Sequence, residues 1–192
     1  MNRRLTHIHD SHPTADGDGV KIFRNIAGGS LSDFDPFLLL DELYSDDPAD
    51  YIGGVPEHPH RGFETVTYML EGSMKHKDHM GNEGLLEPGS VQWMTAGRGV
   101  LHSEMPLQDE GRLHGFQLWV NLPANEKMRP AAYQELPKEK IPVITIGERS
   151  YVKVIAGAFN RNGSIVSGPI TGVTTAPDYF DIFLGEGDTV NV

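Results

Sequence analysis

The chain contains no cysteine, which excludes disulfides, thiolate metal centres and cysteine nucleophiles at once. That absence fits a reducing cytosol, and the cytoplasm is the expected location. No long apolar run is present either: the stretch 37–40 is the longest, against the roughly 20 residues that a membrane-spanning helix needs. The amino terminus, MNRRLTHIHDSH, has two arginines but no apolar core of a secretory signal. Cations are scarce too. Lys and Arg number 16 against 27 Asp and Glu, for a net charge of −11 and a pI near 5.2. Neutralising phosphates requires clustered Lys and Arg, so the composition argues against direct nucleic-acid binding and against attraction to anionic membranes. Long amphipathic helices, tandem repeats and low-complexity tracts are also missing.

What is present reads as a turn-rich β protein. The 192 residues, 38% hydrophobic with 22 Gly and 13 Pro, suffice for one large domain, or for one domain and part of another. Strand character is expected at 20–23, 37–40, 63–70, 91–95, 100–105 and 113–122, punctuated by Gly, Asn and Asp turns. The best of these, 63–70, is rich in Thr, Val, Tyr and Phe. The segment 123–142 carries four prolines and many charges, and reads as a crossing segment with at most one helical turn near 131–133. Strands resume at 151–159, 170–175 and 179–184. Spacing of this kind predicts an all-β sandwich or barrel, organised as 1–122, a connection 123–142, and 143–192.

The chemistry is concentrated in two short strings, His58-Pro59-His60 and His102-Ser103-Glu104. Residues two apart on a strand share a face. Two such strands side by side would converge three imidazoles and a carboxylate, a donor set suited to iron, nickel, copper, manganese or zinc. Gly97 and Gly99 would allow a sharp corner before the second string. If His58 and His60 face inward, so do Gly62, Glu64, Val66, Tyr68 and Leu70, while Phe63, Thr65, Thr67 and Met69 take the opposite face. Glu64 is then a fifth candidate, either as a ligand or as a group orienting a ligand histidine. An HxH pair alone is a weak signal. His7-Ile8-His9 reads as a surface accident, His76-Lys77-Asp78-His79 as a solvated hairpin, and His114 as a core or rim histidine.

The string His58-Pro59-His60-Arg61-Gly62-Phe63-Glu64-Thr65-Val66 resembles the first cupin motif, with Gly53 or Gly54, His58, His60, Glu64 and Gly72 in its roles. The last of these is spaced one residue longer than usual. Pro88-Gly89, Gly97 and His102 resemble the second motif, although Thr95 stands where a proline is common. More specifically, HPHRGFETVTYMLEG, QWMTAGRGVLHSEMP and LHGFQLWVNLP together resemble pirin, a bicupin family, over residues 20–184.

The resemblance implies a cupin barrel whose metal is held by His58, His60, His102 and Glu104, with Glu64 in the surrounding shell. It implies one divalent transition metal, Fe(II) first, with Ni, Cu, Mn, Co or Zn as alternatives. Some members act as quercetin 2,3-dioxygenases, using a flavonol substrate and O2; others are described as transcription cofactors or redox-responsive interaction proteins. The expected activity is thus flavonol ring opening, with Glu104 taking the substrate's hydroxyl proton and Phe23, Phe37, Tyr68 and Phe116 as candidate pocket walls, each as readily core. The alternative is a regulatory protein that binds protein partners through a metal-dependent surface. A second cupin would be cut short at Val192, which predicts exposed strand edges and hence a homodimer, a strand swap or a fragment.

Overall fold

The computed structural model describes residues 8–27 and 34–192, so His7 of the first HxH pair lies outside the described residues. The chain is all-β, built on two sheets that close a barrel, with a three-stranded sheet and a two-stranded hairpin in the C-terminal region. The larger sheet has seven strands: β1 (His12–Asp16), β2 (Val20–Ile26), β3 (Phe37–Ser45), β5 (Phe63–Glu71), β8 (Val91–Thr95), β10 (Leu113–Asn121) and β11 (Ala132–Leu136). Their order is β1-β2-β3-β10-β5-β8-β11. The smaller sheet runs β4 (Val55–His60), β9 (Val100–Pro106), β6 (Met74–Asp78) and β7 (Glu83–Leu86). No helix among the described residues is long and apolar enough to cross a membrane.

The barrel interior is filled by side chains from both sheets. Val20, Ile22, Leu43, Met69 and Leu113 of the larger sheet meet Met74 and Leu86 of the smaller one, with Tyr51 beside them. The Tyr51 hydroxyl donates to the Gly111 carbonyl at 2.7 Å, which settles the polar end of an otherwise buried ring. The larger sheet is covered on its other face as well. Val66, Tyr68, Trp93, Leu118 and Val120 pack against Ile155, Ala156 and Ile170 from the C-terminal region. Burial on both faces explains why β5 is buried at nearly every position rather than at alternate ones.

The C-terminal region contributes the strands β12 (Val143–Thr145), β13 (Tyr151–Ala156) and β16 (Tyr179–Phe183), and a hairpin of β14 (Ala158–Arg161) and β15 (Ser164–Ser167). It is tied to the barrel by more than apolar contact. The Tyr68 hydroxyl donates to Asp181 Oδ2 at 2.6 Å and accepts from Lys153 Nζ at 2.9 Å, while Lys153 and Asp181 themselves pair at 2.9 Å.

Two expectations from the sequence are corrected here. The segment 123–142 holds a strand where at most a helical turn was expected: β11 pairs with β8 from Ala132↔Thr95 to Leu136↔Val91. The alternation expected to run from His58 to Leu70 is also interrupted. β4 ends at His60 and β5 begins at Phe63, with Gly62 at φ +80° between them. The Gly62 N–H donates to the Gly97 carbonyl at 2.7 Å. Gly97 itself sits at φ +52°, where a Cβ would collide with the Arg129 carbonyl oxygen, so this corner needs glycine twice.

Candidate metal centre

β9 lies between β4 and β6, and that order assembles the centre. His58 pairs with His102 across β4 and β9, while Asp78 pairs with His102 and His76 with Glu104 across β6 and β9. Val100, His102 and Glu104 are buried and Leu101 and Met105 are exposed, as the alternation predicts for this strand. A one-residue bulge between Val55 and His58 breaks the β4 register and re-aims the strand. It places the Pro56 carbonyl 2.8 Å from His58 Nδ1.

Three ring nitrogens converge. His58 Nε2 lies 2.8 Å from His60 Nε2 and 3.0 Å from His102 Nε2, and ligand atoms of all three lie within 4.8 Å of one another. His58 accounts for its Nδ1 proton with the Pro56 carbonyl, so its Nε2 presents a lone pair. His60 and His102 are 5% and 1% exposed. Burial, then the neighbouring imidazoles, pushes both down to about 3. They are therefore neutral at ordinary pH, the form that ligates a metal. Nitrogens bound at about 2.1 Å and at right angles on one cation lie about 3 Å apart, which matches the observed spacings. The three histidines fit a divalent transition metal.

The carboxylates are placed differently. Glu104 is 2% exposed and stands outside the three-histidine group. Its Oε1 accepts from Thr67 Oγ1 at 3.0 Å and its Oε2 from Gln117 Nε2 at 2.8 Å. Glu104 nevertheless acts electrostatically on His60, opposing its downward shift. Glu64, expected beside the ligands, is turned away. It shares a face with Val66 and Tyr68, and its Oε1 accepts from Thr95 Oγ1 at 2.6 Å. The break at Gly62 reverses the phase of β5, which brings Thr67 in and sends Glu64 out.

Other residues close the site. His76, read from sequence as part of a solvated hairpin, is fully buried, with its Nδ1 3.3 Å from His102 Nδ1. Its strand alternates cleanly, Met74, His76 and Asp78 in, Lys75 and Lys77 out. That pattern was the available signal. His114 is a rim residue 3.0 Å from Glu42 Oε1, and His79 is exposed on the loop after β6. A cleft of about 500 Å³ opens over His58 and His60, lined by Val55, Pro56, Gln117 and Trp119, with Asp16, Asp18 and Glu57 also on its walls. The Trp119 ring lies 5.2 Å from that of His60 and 4.7 Å from that of Phe63. None of Phe23, Phe37, Tyr68 and Phe116 lines this cleft; Phe37, Tyr68 and Phe116 belong to the core on the sheet's other face.

Residues 19–120, more than half of the chain, match the family model described as Pirin. A Pseudomonas aeruginosa protein named "putative quercetin 2,3-dioxygenase" is 50% identical over 188 residues, covering 98% of this chain and 66% of its own length. Human pirin is 53% identical over 133 residues, covering 69% of this chain and 44% of its own length. The crystal structure of quercetin 2,3-dioxygenase from Acinetobacter baumannii superposes with a TM-score of 0.75 at 39% identity, over 84% of this chain and 58% of that one. The chain thus spans less than two thirds of the length of these relatives. Together with the cupin barrel and its three converging histidines, the match over residues 19–120 makes this chain a member of the pirin family.

Proposed function

We propose that the chain carries the metal-binding barrel of a dioxygenase that opens the central ring of flavonol-like substrates with O2, of the quercetin 2,3-dioxygenase type. The observation that carries this reading is the convergence of three imidazole nitrogens beneath a cleft of about 500 Å³, within the range usual for small-molecule sites. The names of the Pseudomonas and Acinetobacter relatives favour the same substrate class.

His58, His60 and His102 would hold the cation, Fe(II) first, with Glu104 as the fourth ligand. When bound, such a cation supplies Lewis acidity toward a hydroxyl–keto unit and a redox couple toward O2. The remaining steps belong to the protein. Trp119, backed by Phe63, gives a planar substrate a flat wall beside His60. Val55 and Pro56 add apolar lining to the cleft. Gln117 both lines the cleft and donates to Glu104 Oε2, which links the carboxylate to the cleft, and Glu104 would receive the hydroxyl proton. Asp16, Asp18 and Glu57 make the walls acidic, so a neutral flavonol enters more readily than its anion.

The test is anaerobic mixing of iron-loaded protein with quercetin, followed by O2. The flavonol absorption band should disappear only after O2 is added. Persistence of the band with iron confirmed present would overturn the dioxygenase reading.

A further inference from the structure

Each ligand histidine must carry its proton on the nitrogen facing away from the metal, and something must accept that proton. For His58 the acceptor is the Pro56 carbonyl at 2.8 Å. For His102, whose Nε2 faces His58 Nε2 at 3.0 Å, the contact at its Nδ1 is His76 Nδ1, 3.3 Å away, with the two rings 5.3 Å apart. The nearby carboxylates are committed elsewhere. Asp78 already accepts from the backbone N–H groups of Met80 and Asn82, the Asn82 side-chain amide and the Tyr133 hydroxyl. Glu104 accepts from Thr67 and Gln117.

We infer that His76 is a positioning residue of the metal centre: its bare Nδ1 accepts the Nδ1 proton of His102 and so aims the His102 Nε2 lone pair at the cation. The inference rests on the metal-centre reading above and adds a residue to it. It also fixes the tautomer of His76. With Nδ1 acting as acceptor, neutral His76 carries its own proton on Nε2, and that atom is buried with no hydrogen-bond partner among the described residues. The Tyr133 ring of β11 lies against His76, with the ring centroids 4.9 Å apart. A fully buried histidine with one nitrogen unpartnered has no stabilising account of its own; as a partner of His102 it has one. Because the acceptor is a neutral imidazole and not a carboxylate, it orients His102 without adding negative charge around the cation.

The experiment uses the full chain loaded with Zn(II), a diamagnetic probe. Two-bond 15N–1H spectra should show His102 protonated at Nδ1, and His76 protonated at Nε2 with Nδ1 bare. His76→Leu should weaken Zn(II) binding by about 10- to 100-fold, as outer partners of ligand histidines do. His76→Asn, whose Oδ1 takes the place of Nδ1, should restore affinity to within about threefold of wild type. If the Leu variant does not fold, His76→Gln replaces it, since its acceptor sits one bond too far out. Wild-type affinity in the Leu or Gln variant, or a proton on His76 Nδ1 in the Zn(II) form, overturns the inference alone. Failure of the wild-type chain to take up Zn(II) overturns the metal centre and this inference with it.

Discussion

Thr67 and Glu104 meet across the barrel interior from opposite sheets, the Thr67 hydroxyl donating to Glu104 Oε1 at 3.0 Å. Thr67 belongs to β5 of the larger sheet and Glu104 to β9 of the smaller. With Gln117 on the second oxygen at 2.8 Å, both acceptor atoms of a buried carboxylate are held by donors from the wall facing it. This clamp makes a carboxylate tolerable inside the barrel.

Removing either donor therefore leaves a buried carboxylate oxygen short of a partner. Thr67→Val keeps the shape and removes the hydroxyl, and Gln117→Leu does the same for the amide. Each is expected to cost about 1.5–3 kcal/mol, the range for a hydrogen bond to a charged group. Urea unfolding of the metal-free protein measures this; a loss below about 0.5 kcal/mol in both variants would show that the clamp is idle.

Acid should destabilise the metal-free protein through its histidines. In the folded state His60 and His102 are held down at about 3, against 6.5 for the ordinary side chain. Between those values the unfolded chain binds protons that the folded chain cannot. Stability is thus fully present above 6.5 and falls as pH drops toward 3, by up to about 1.4 kcal/mol per pH unit for each histidine. Denaturant titrations across this window check the slope. The double variant His60→Gln with His102→Gln should flatten it, and an unchanged slope would assign the acid sensitivity to other groups.

Metal uptake should appear as a thermal shift that the ligands control. A cation present at about 1,000 times its Kd stabilises the folded state by about 4 kcal/mol. Replacing His58, His60 or His102 singly by Ala should abolish most of that shift and the co-purifying metal. Differential scanning calorimetry with elemental analysis reads both. A full shift in all three variants would place the metal elsewhere.

The Tyr68, Lys153 and Asp181 cluster predicts how the C-terminal region is fastened. Tyr68→Phe removes a hydroxyl that donates to Asp181 at 2.6 Å and accepts from Lys153 at 2.9 Å. The ring stays in its core, so the cost should be about 1–2 kcal/mol. Limited proteolysis should also cut the 143–192 region faster. Unchanged stability and unchanged cutting would mean that this cluster does not fasten the two parts.

Gly97→Ala tests the corner before β9. The residue sits at φ +52° with the Arg129 carbonyl where a Cβ would go, so the substitution strains the backbone and displaces a neighbour. A loss above about 2 kcal/mol, with weakened metal binding, is expected. A variant that melts and binds like wild type would show that the corner can relax.

Much of this was legible in the chain itself. The strand alternation around His102 and Glu104, the glycine corner and the HxH string led to the three histidines that meet in space. What stayed hidden depended on register or on tertiary order. The phase of β5 could not be read through Arg61-Gly62, because a two-residue interruption changes which face follows it, and Glu64 and Thr67 changed places as a result. His76 was hidden by its lysine neighbours, which mark a solvated strand unless the alternation is taken literally. β11 was hidden by its prolines, since a strand at the edge of a sheet tolerates flanking prolines that a central one would not. Tyr68 and Phe116 were aromatic in a β barrel, yet the larger sheet is buried on both faces, and composition does not say which face a ring will choose.

The interruption between β4 and β5 has a consequence for how this barrel could change over generations. β5 is paired on both sides, so a deletion at Arg61 or Gly62 that is absorbed by a one-residue slip of β5 would exchange its two faces. Glu64 would enter the barrel and Thr67 would leave it, while Tyr68 would lose Lys153 and Asp181. A second acid would arrive beside the histidines as the clamp on the first one vanished. Loss of a single codon would thus rewrite the donor set, the inner wall and the tether together, whereas substitution of any one ligand removes only that ligand. The length of this two-residue link is a heritable setting of the metal chemistry, although neither residue has a place in the ligand set.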